Sequence, residues 1–240
     1  MRTELDKIIA NIKPLCKTAM DEAKKHQAKL AKPPGSLGKL EDISVQLAGI
    51  TGKVHNSIEK KHLLVFAADN GVVAEGVASA PQSVTLKQAI NLTKEKTGAS
   101  VLAAHFGCGI TVCDVGINAD VKNSDVIDKK IAYGTNNIAK GSAMTKEQAI
   151  KAIITGVGLA KSTDADIIGV GEMGIGNTTT TSAVLSVLLD VDAEKVTGRG
   201  AGITDSAFQK KKDVIKQAIK INNPDKNDIL DVLSKVGGFD

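Results

Sequence analysis

The sequence predicts an α/β fold in which helices cover both faces of a parallel sheet, preceded by a small helical subdomain. Three largely apolar segments, 63–69, 110–116 and 164–171, have the length of buried strands. Segments with helical periodicity separate them, and this alternation is typical of a parallel sheet. We therefore expect residues 61–240 to form the α/β domain and residues 1–60 to form the helical subdomain.

The first 60 residues are predicted to form helices joined by a rigid turn. Residues 1–31 carry apolar side chains at helical spacing, and Pro14 is expected to kink or divide that helix. The segment KPPGSLG (32–38) then fixes the backbone with two prolines. A structural linker is the simplest explanation of this segment. A loop whose N–H groups face a site is the alternative.

Helices are predicted between and after the strands. The first covers residues 85–107. Thr145 and Gln148 have the spacing of a capping box, which predicts a helix from there through Lys161. Residues 178–189 form the third helix despite their β-branched content, because apolar side chains recur at helical spacing.

Each predicted strand ends in polar residues, namely Asp69 with Asn70, Asp114, and the loop around Glu172. Ligands of parallel α/β sheets bind at the carboxyl ends of the strands. If the three strands are neighbours, these groups converge on one crevice.

Composition excludes several classes of function. Aromatic residues make up 2% of the chain, which argues against a stacking surface for single-stranded nucleic acid. The net charge of +4 is spread along mixed helix faces, so we expect no nucleic-acid partner. No apolar run is long enough to cross a bilayer, and the N-terminus lacks the apolar core of a signal peptide.

The cysteines and histidines point to a reducing compartment and to no metal. The three cysteines form no CxxC pair, and two of them lie in apolar surroundings typical of small buried side chains. A cytoplasmic location is therefore predicted. No His/Cys cluster has the spacing of metal ligands, so neither a metal nor a cofactor is expected.

The stretch IIGVGEMGIGNTTTTSAV (167–184) contains four glycines between a strand and a helix. It matches the dinucleotide pattern G-x-G-x-x-G, but no second strand ending in an acid follows at the right distance. It also matches a Walker A loop in which Asn177 replaces the lysine, so nothing would reach the outer phosphates of a triphosphate. A helix N-terminus with hydroxyls at Thr178 and Thr179 suits one phosphate monoester. A tight turn without a ligand is the alternative, although four glycines exceed what a turn needs.

A second glycine loop, TGRGAG (197–202), precedes another predicted helix that contains three consecutive lysines. A lysine one or two turns into a helix can reach back to a phosphate. Lys211 is the lysine that we expect to do so. A solvated helix face would explain the run equally well if no glycine loop lay beside it.

Five segments together resemble one enzyme family: KPPGSLGKLE, AADNGVVAEGV, VGEMGIGNTTT, TGRGAGITD with KKKDVI, and DVLSKVGGFD. They resemble the nicotinate-nucleotide–dimethylbenzimidazole phosphoribosyltransferases, which activate the lower ligand of cobalamin. The similarity runs in order along essentially the whole chain. It implies a Rossmann-like parallel sheet with helices on both faces, a small helical domain and a homodimer.

The resemblance also implies the reaction. Nicotinate mononucleotide and 5,6-dimethylbenzimidazole, or a related base, give α-ribazole 5′-phosphate and nicotinate. Nicotinate leaves from a pyridinium that is already cationic, so no general acid is needed. The azole must lose its N–H proton, so a carboxylate base is useful.

The family's site residues carry over to matching positions of this chain. Glu172 matches one of two important glutamates and is the candidate catalytic base. The nucleotide and phosphate site falls on Gly174, Ile175, Gly176, Asn177, Thr178, Gly202 and Lys211. The benzimidazole site falls on Gln88, Met173, Ser79 and Ala80.

The chain departs from the family pattern at three places. Asn70 stands where many members have histidine, and Ala80 stands at a serine position, with Ser79 one place earlier. Members continue beyond the GGFD segment through a GEGxGA motif that carries the glutamate usually assigned as the base. This sequence ends at Asp240. We expect that the chain is a truncated product, that another polypeptide supplies the missing segment, or that the chain has diverged, and the intact motifs favour the first two explanations.

Two further hypotheses remain open at this point. The chain could be a mononucleotide-binding module without turnover, such as one subunit of a split enzyme. It could also be a nicotinamide-dependent oxidoreductase, which would require NAD binding.

Overall fold

The computed structural model describes residues 1–122 and 125–240. They divide into two compact units, one formed by Thr3–Glu59 and the other by Met1–Arg2 with Lys60–Asp240.

The first unit is helical. Its helices are α1 (Arg2–Ala10), α2 (Lys17–Lys29) and α3 (Lys39–Thr51). The predicted N-terminal helix is divided around Pro14, as expected of a residue without an N–H donor. The small buried side chains Ala19, Ala23 and Ala48 form the contact between α2 and α3. Gly49 faces Met20 so closely that any side chain there would collide with it, and this allows the two helices to approach.

The second unit contains a four-stranded parallel sheet. Its strands are β1 (Lys61–Ala68), β2 (Cys108–Gly116), β3 (Ile127–Asp128) and β4 (Ile167–Met173), in the order β3-β2-β1-β4. The three predicted strands are confirmed, and they are neighbours, with β1 between β2 and β4. The two-residue strand β3 was not predicted, because it is too short to produce an apolar pattern.

Helices follow or separate the strands. They are α4 (Ser83–Thr93), α5 (Gly98–His105), α6 (Lys146–Ser162), α7 (Asn177–Leu189), α8 (Ala193–Val196), α9 (Asp205–Asn222) and α10 (Ile229–Val236), with a short 3-10 helix at Gly71–Glu75. The capping box of Thr145 and Gln148 is confirmed at the start of α6.

The prediction of one helix over residues 85–107 is wrong, because that segment forms α4 and α5. Glu95 adopts a left-handed conformation with φ of 53°, which ends the helical path. Thr97 then caps α5 by a capping box with Ser100. The apolar pattern continued across this break and concealed it.

The sheet is covered on both faces, as predicted. One apolar cluster contains Val65, Ala67 and Val112 of the sheet with Ala89 and Leu92 of α4. The larger cluster lies on the other face, where α6, α7, α9 and α10 contribute buried side chains. Strand β4 forms an edge of the sheet, and its Val170 is 77% exposed. Across residues 1–122 and 125–240, no helix combines the length and apolar character needed to span a membrane.

Candidate active site

The carboxyl ends of β1, β2 and β4 lie side by side, but their polar groups have different roles. Asp114 of β2 is buried, and its carboxylate accepts hydrogen bonds from the N–H groups of Gly116 (3.0 Å) and Ile117 (2.8 Å). Lys130 Nζ donates to the same carboxylate at 2.6 Å. These contacts occupy Asp114 in holding the loop after β2, so it is not available to a ligand.

The loop between β4 and α7 is built on close backbone approaches. Gly174 lies against the carbonyl oxygen of Ala68 and the side chain of Asn70, which leaves no room for a Cβ. Gly176 has φ of +95°, and a Cβ there would lie 2.7 Å from Cγ2 of Val73. Both positions therefore require glycine on steric grounds.

Several N–H groups of the predicted phosphate loop already have protein acceptors. The Ile175 N–H donates to the buried Thr85 hydroxyl at 3.1 Å. The Asn177 N–H donates to the Gly174 carbonyl at 3.1 Å, and the Thr178 N–H donates to the Asn177 amide oxygen at 2.6 Å. A phosphate oxygen would have to replace the Asn177 oxygen in order to reach the Thr178 N–H.

Lys211 reaches this loop from α9. Its side chain lies on the buried face of the helix with Val214, Ile215 and Ala218, at helical spacing, and the residue is only 1% exposed. The ammonium group donates to the Thr178 hydroxyl at 2.7 Å and to the Gly198 carbonyl at 2.9 Å. Burial lowers the pKa of Lys211, because the charged form loses hydration.

We call the space between these elements the phosphate cavity. Its volume is about 60 Å³. Of the predicted nucleotide-binding residues, the cavity is lined by Gly174, Ile175, Gly176, Asn177, Thr178 and Lys211. Gly202 is not among its lining residues, although its neighbours Ala201 and Ile203 are.

Glu172 lies in a different cavity, which we call the carboxylate cavity. This space of about 250 Å³ is lined by Glu172, Asp240 and apolar side chains of α7 and α10, including Val184 and Leu233. Asn177 lines both cavities, and its amide nitrogen donates to the Glu172 carboxylate. The loop thus forms a wall between the predicted phosphate site and the predicted base.

The predicted benzimidazole-binding residues do not lie together. Met173 packs in the apolar cluster beneath α4, and Gln88 on α4 accepts a hydrogen bond from Asn91 at 3.2 Å. Successive side chains of a strand point to opposite faces, so Met173 and Glu172 face opposite sides of the sheet. Ser79 and Ala80 line the phosphate cavity instead.

Three carboxyl groups near the strand ends are held in surroundings that favour their neutral form. Desolvation raises the pKa of Glu172, opposed by a hydrogen bond from the Gly174 backbone. Burial also raises the pKa of Asp69. Burial raises the pKa of Asp240 to about 7, and repulsion from Glu172 and Asp69 adds to the effect. This concentration of shifted carboxyls is typical of functional sites.

Sequence reasoning overlooked Arg199 as a site residue. It lines the phosphate cavity across from the glycine loop, on the segment between α8 and α9. The sequence signal was present, because Arg199 lies inside the TGRGAG loop that was singled out for its glycines. Among the residues that the structure describes, no group of three or more His, Cys, Asp or Glu side chains could hold a metal ion.

Comparison with known proteins identifies the family. Residues 12–240 match a family model described as phosphoribosyltransferase. A nicotinate-nucleotide–dimethylbenzimidazole phosphoribosyltransferase from Clostridium tetani is 48% identical over 239 residues, which cover 98% of this chain and 66% of the relative. One from Acetivibrio thermocellus is 46% identical, with 97% of this chain and 67% of the relative covered.

Solved structures agree with the sequence comparison. The crystal structure of CobT from Thermus thermophilus superimposes with a TM-score of 0.87 at 32% identity, covering 92% of this chain and 68% of that chain. The chain spans about two thirds of the length of the curated relatives that it matches. The matched family model and these relatives show that the chain belongs to the nicotinate-nucleotide–dimethylbenzimidazole phosphoribosyltransferase family.

Proposed function

We propose that the chain binds nicotinate mononucleotide and transfers its phosphoribosyl group to 5,6-dimethylbenzimidazole or a related base, as a step of cobalamin biosynthesis. The observation that carries this proposal is the phosphate cavity, where the buried ammonium of Lys211 lies beside the Thr178 hydroxyl and the glycine loop. Family membership supplies the reaction, since the relatives are named for it.

The phosphate cavity suits one phosphate monoester. Lys211 supplies a fixed positive charge, and the N-terminus of α7 supplies the positive end of a helix dipole. The cavity's small volume, about 60 Å³, and its buried ammonium suit one phosphate group. A mononucleotide therefore fits better than a dinucleotide or a triphosphate.

The proposed reaction exchanges one N-glycosidic bond for another. The bond between C1′ and the pyridinium nitrogen breaks, and its electron pair returns to nicotinate, which leaves with a neutral ring nitrogen. A lone pair of the benzimidazole forms the new bond to C1′. The N–H proton of the azole goes to a carboxylate base. The reaction needs no oxidant or reductant.

Glu172 is the residue that we propose as this base. Desolvation raises the pKa of its carboxyl, which makes the carboxylate a better proton acceptor. Its hydrogen bond from Asn177 links it to the residue that also lines the phosphate cavity. Displacement of the Asn177 side chain by a bound nucleotide would release the Glu172 carboxylate on the other side of the loop.

The remaining site residues keep their predicted roles in this proposal. Gly202 lies in the loop that borders the nucleotide, and its φ of +90° allows the backbone to turn there. Gln88 and Met173 are the proposed contacts of the base. Ser79 and Ala80 line the phosphate cavity, and we propose that they contact the base from there.

We also propose a homodimer in the cytoplasm. Helix α5 and the residue after it support a dimer, because Val101, Leu102 and Phe106 present apolar surface and are 51%, 58% and 63% exposed. Cys16, Cys108 and Cys113 are free thiols, which fits a reducing compartment. Light scattering of the purified chain tests the dimer.

An assay of product formation tests the function. The chain is incubated with nicotinate mononucleotide and dimethylbenzimidazole, and released nicotinate and α-ribazole 5′-phosphate are quantified. We expect both products in equal amounts. Nucleotide binding without turnover would instead support a nucleotide-binding subunit that needs a partner. Binding of NAD with no binding of the mononucleotide would contradict the proposal.

A further inference from the structure

Arg199 is a second cation at the phosphate cavity, in addition to Lys211. The groups that its guanidinium now binds could be replaced by a ligand. Its guanidinium donates to the carbonyl oxygen of Ile203 at 3.1 Å and to a carboxylate oxygen of Asp205 at 2.5 Å. The Arg199 side chain is 49% exposed and that of Asp205 is 92% exposed. Ion pairs between side chains so open to water contribute little net free energy.

A ring contact keeps the guanidinium in place without using its donors. The group lies over the face of the Phe208 ring, 4.7 Å from its centre. Such cation–π contacts hold an arginine by its flat face and leave the N–H edge available. The guanidinium can therefore exchange one anion for another through its N–H donors while the ring contact is kept.

The charge balance of the cavity calls for a second cation. A phosphate monoester carries about −1.5 to −2 charges at neutral pH. Lys211 supplies at most one positive charge, and it shares its ammonium protons between Thr178 and the Gly198 carbonyl. Arginine remains charged at every accessible pH and can bind phosphate with two parallel hydrogen bonds.

We propose that Arg199 is a phosphate clamp that exchanges the carboxylate of Asp205 for the phosphate of the bound nucleotide. In the free protein Asp205 holds the guanidinium at the rim of the phosphate cavity. When a phosphate monoester enters, the guanidinium closes over it, and Asp205 remains in water at the N-terminus of α9. The identity of the nucleotide rests on the proposed function, but the clamp itself requires only a phosphate.

If Arg199 is a clamp, substitutions of the two partners of the ion pair should change nucleotide affinity in opposite directions. Removing the guanidinium with Arg199→Gln should weaken nicotinate mononucleotide binding by about ten- to a hundredfold, the usual worth of hydrogen bonds to a charged group. Removing the competitor with Asp205→Asn should tighten binding by roughly threefold, because the exposed pair is weak. Arg199→Lys should fall between wild type and Arg199→Gln, since it keeps the charge and loses the paired donors.

Calorimetric titration of the purified full chain tests the clamp, with nicotinate mononucleotide and inorganic phosphate as ligands and thermal melts of every variant. Opposite shifts in affinity for Arg199→Gln and Asp205→Asn support it. A loss of affinity in both variants would instead identify the pair as a support for the loop and would overturn the clamp. Unchanged affinity in Arg199→Gln, or no binding of either ligand by the wild type, would also overturn it.

These titrations separate the clamp from the proposed function. If the chain shows no turnover but Arg199→Gln weakens phosphate binding, the result supports the clamp and contradicts the proposed reaction. If Arg199→Gln releases nicotinate at the wild-type rate and binds the nucleotide with wild-type affinity, the reaction stands and the clamp is overturned. A nucleoside without phosphate should bind equally to the wild type and to the three variants.

Discussion

The two cavities on either side of the glycine loop differ in how far the chain has already organised them. The phosphate cavity is small, about 60 Å³, and its cation, hydroxyl and backbone groups are fixed by hydrogen bonds. The carboxylate cavity is larger, about 250 Å³, and largely apolar apart from Glu172, Asn177, two threonines and Asp240. Asn177 is the residue common to both.

This difference assigns nucleotide binding to one side of the loop and proton transfer to the other. Side chains that can hold a phosphate are in place on one side of the loop, so affinity for the nucleotide should depend on the phosphate cavity. The candidate base lies on the other side, so variants there should change the rate and leave nucleotide affinity intact. Variants on each side of the loop, and in the loop itself, can test whether nucleotide affinity and reaction rate change independently.

The largest effect is expected at Glu172. Glu172→Gln keeps the hydrogen-bonding shape of the side chain but removes the proton acceptor, so nicotinate release should fall at least about a hundredfold. Affinity for nicotinate mononucleotide, measured by calorimetry, should stay within about twofold of wild type. Glu22→Gln, at an exposed acid of α2, is the control and should change neither quantity. Equal losses of rate and affinity would show that Glu172 has a structural role.

Lys211→Met should weaken nucleotide binding by about ten- to a hundredfold, because it removes a charged donor from the phosphate cavity. The melting temperature should change little, since the desolvation of a buried lysine offsets much of what its contacts contribute. Lys210→Met is the matched control, because Lys210 is the preceding residue of α9 and is exposed. Equal losses of affinity in the two variants would contradict a specific role of Lys211.

Gly176→Ala should destabilise the chain by roughly 1–3 kcal/mol, because alanine is strained at φ of +95° and its Cβ would collide with Val73. Nucleotide affinity should fall with it, because the loop must shift. Gly198→Ala is the matched control in the other glycine loop, where an added Cβ meets nothing within 4 Å. Urea denaturation of both variants measures the difference, and similar stabilities would contradict the account of the loop.

A dependence of stability on pH is expected at Asp240. The pKa of Asp240 is raised to about 7, so the folded state keeps this proton while the unfolded chain releases it near pH 4. Stability contributed by the protonated group is therefore lost as pH rises from about 4 to about 7. Asp240→Asn should melt higher than wild type at pH 7.5 and no higher at pH 4. A difference of the same size at both pH values would show that the carboxyl does not titrate in this range.

Much of the fold could be predicted because its elements depend on local patterns. The three buried strands, the capping box of Thr145 and the division of the first helix near Pro14 follow from residue type and spacing. The break at Thr97 was missed, since a left-handed residue such as Glu95 leaves no mark in apolar periodicity.

The site was harder to predict because its geometry depends on which face each residue occupies. Glu172 and Met173 are adjacent in sequence and were expected at one end of the ligand, yet strand alternation places them on opposite faces. Among three consecutive lysines, the helical position relative to Val214 and Ala218 brings Lys211 inward. Arg199 could have been proposed from its place in the TGRGAG loop, but its position at the phosphate cavity depends on how the two glycine loops meet.

The phosphate cavity should recognise one phosphate monoester independently of the carboxylate cavity. Calorimetric titration of the wild-type chain with nicotinate mononucleotide and with the corresponding nucleoside, which lacks only the phosphate, tests it directly. We predict that the nucleoside binds at least about a hundredfold more weakly, because it forfeits the charged hydrogen bonds at Lys211. Equal affinity for the two ligands would contradict the account.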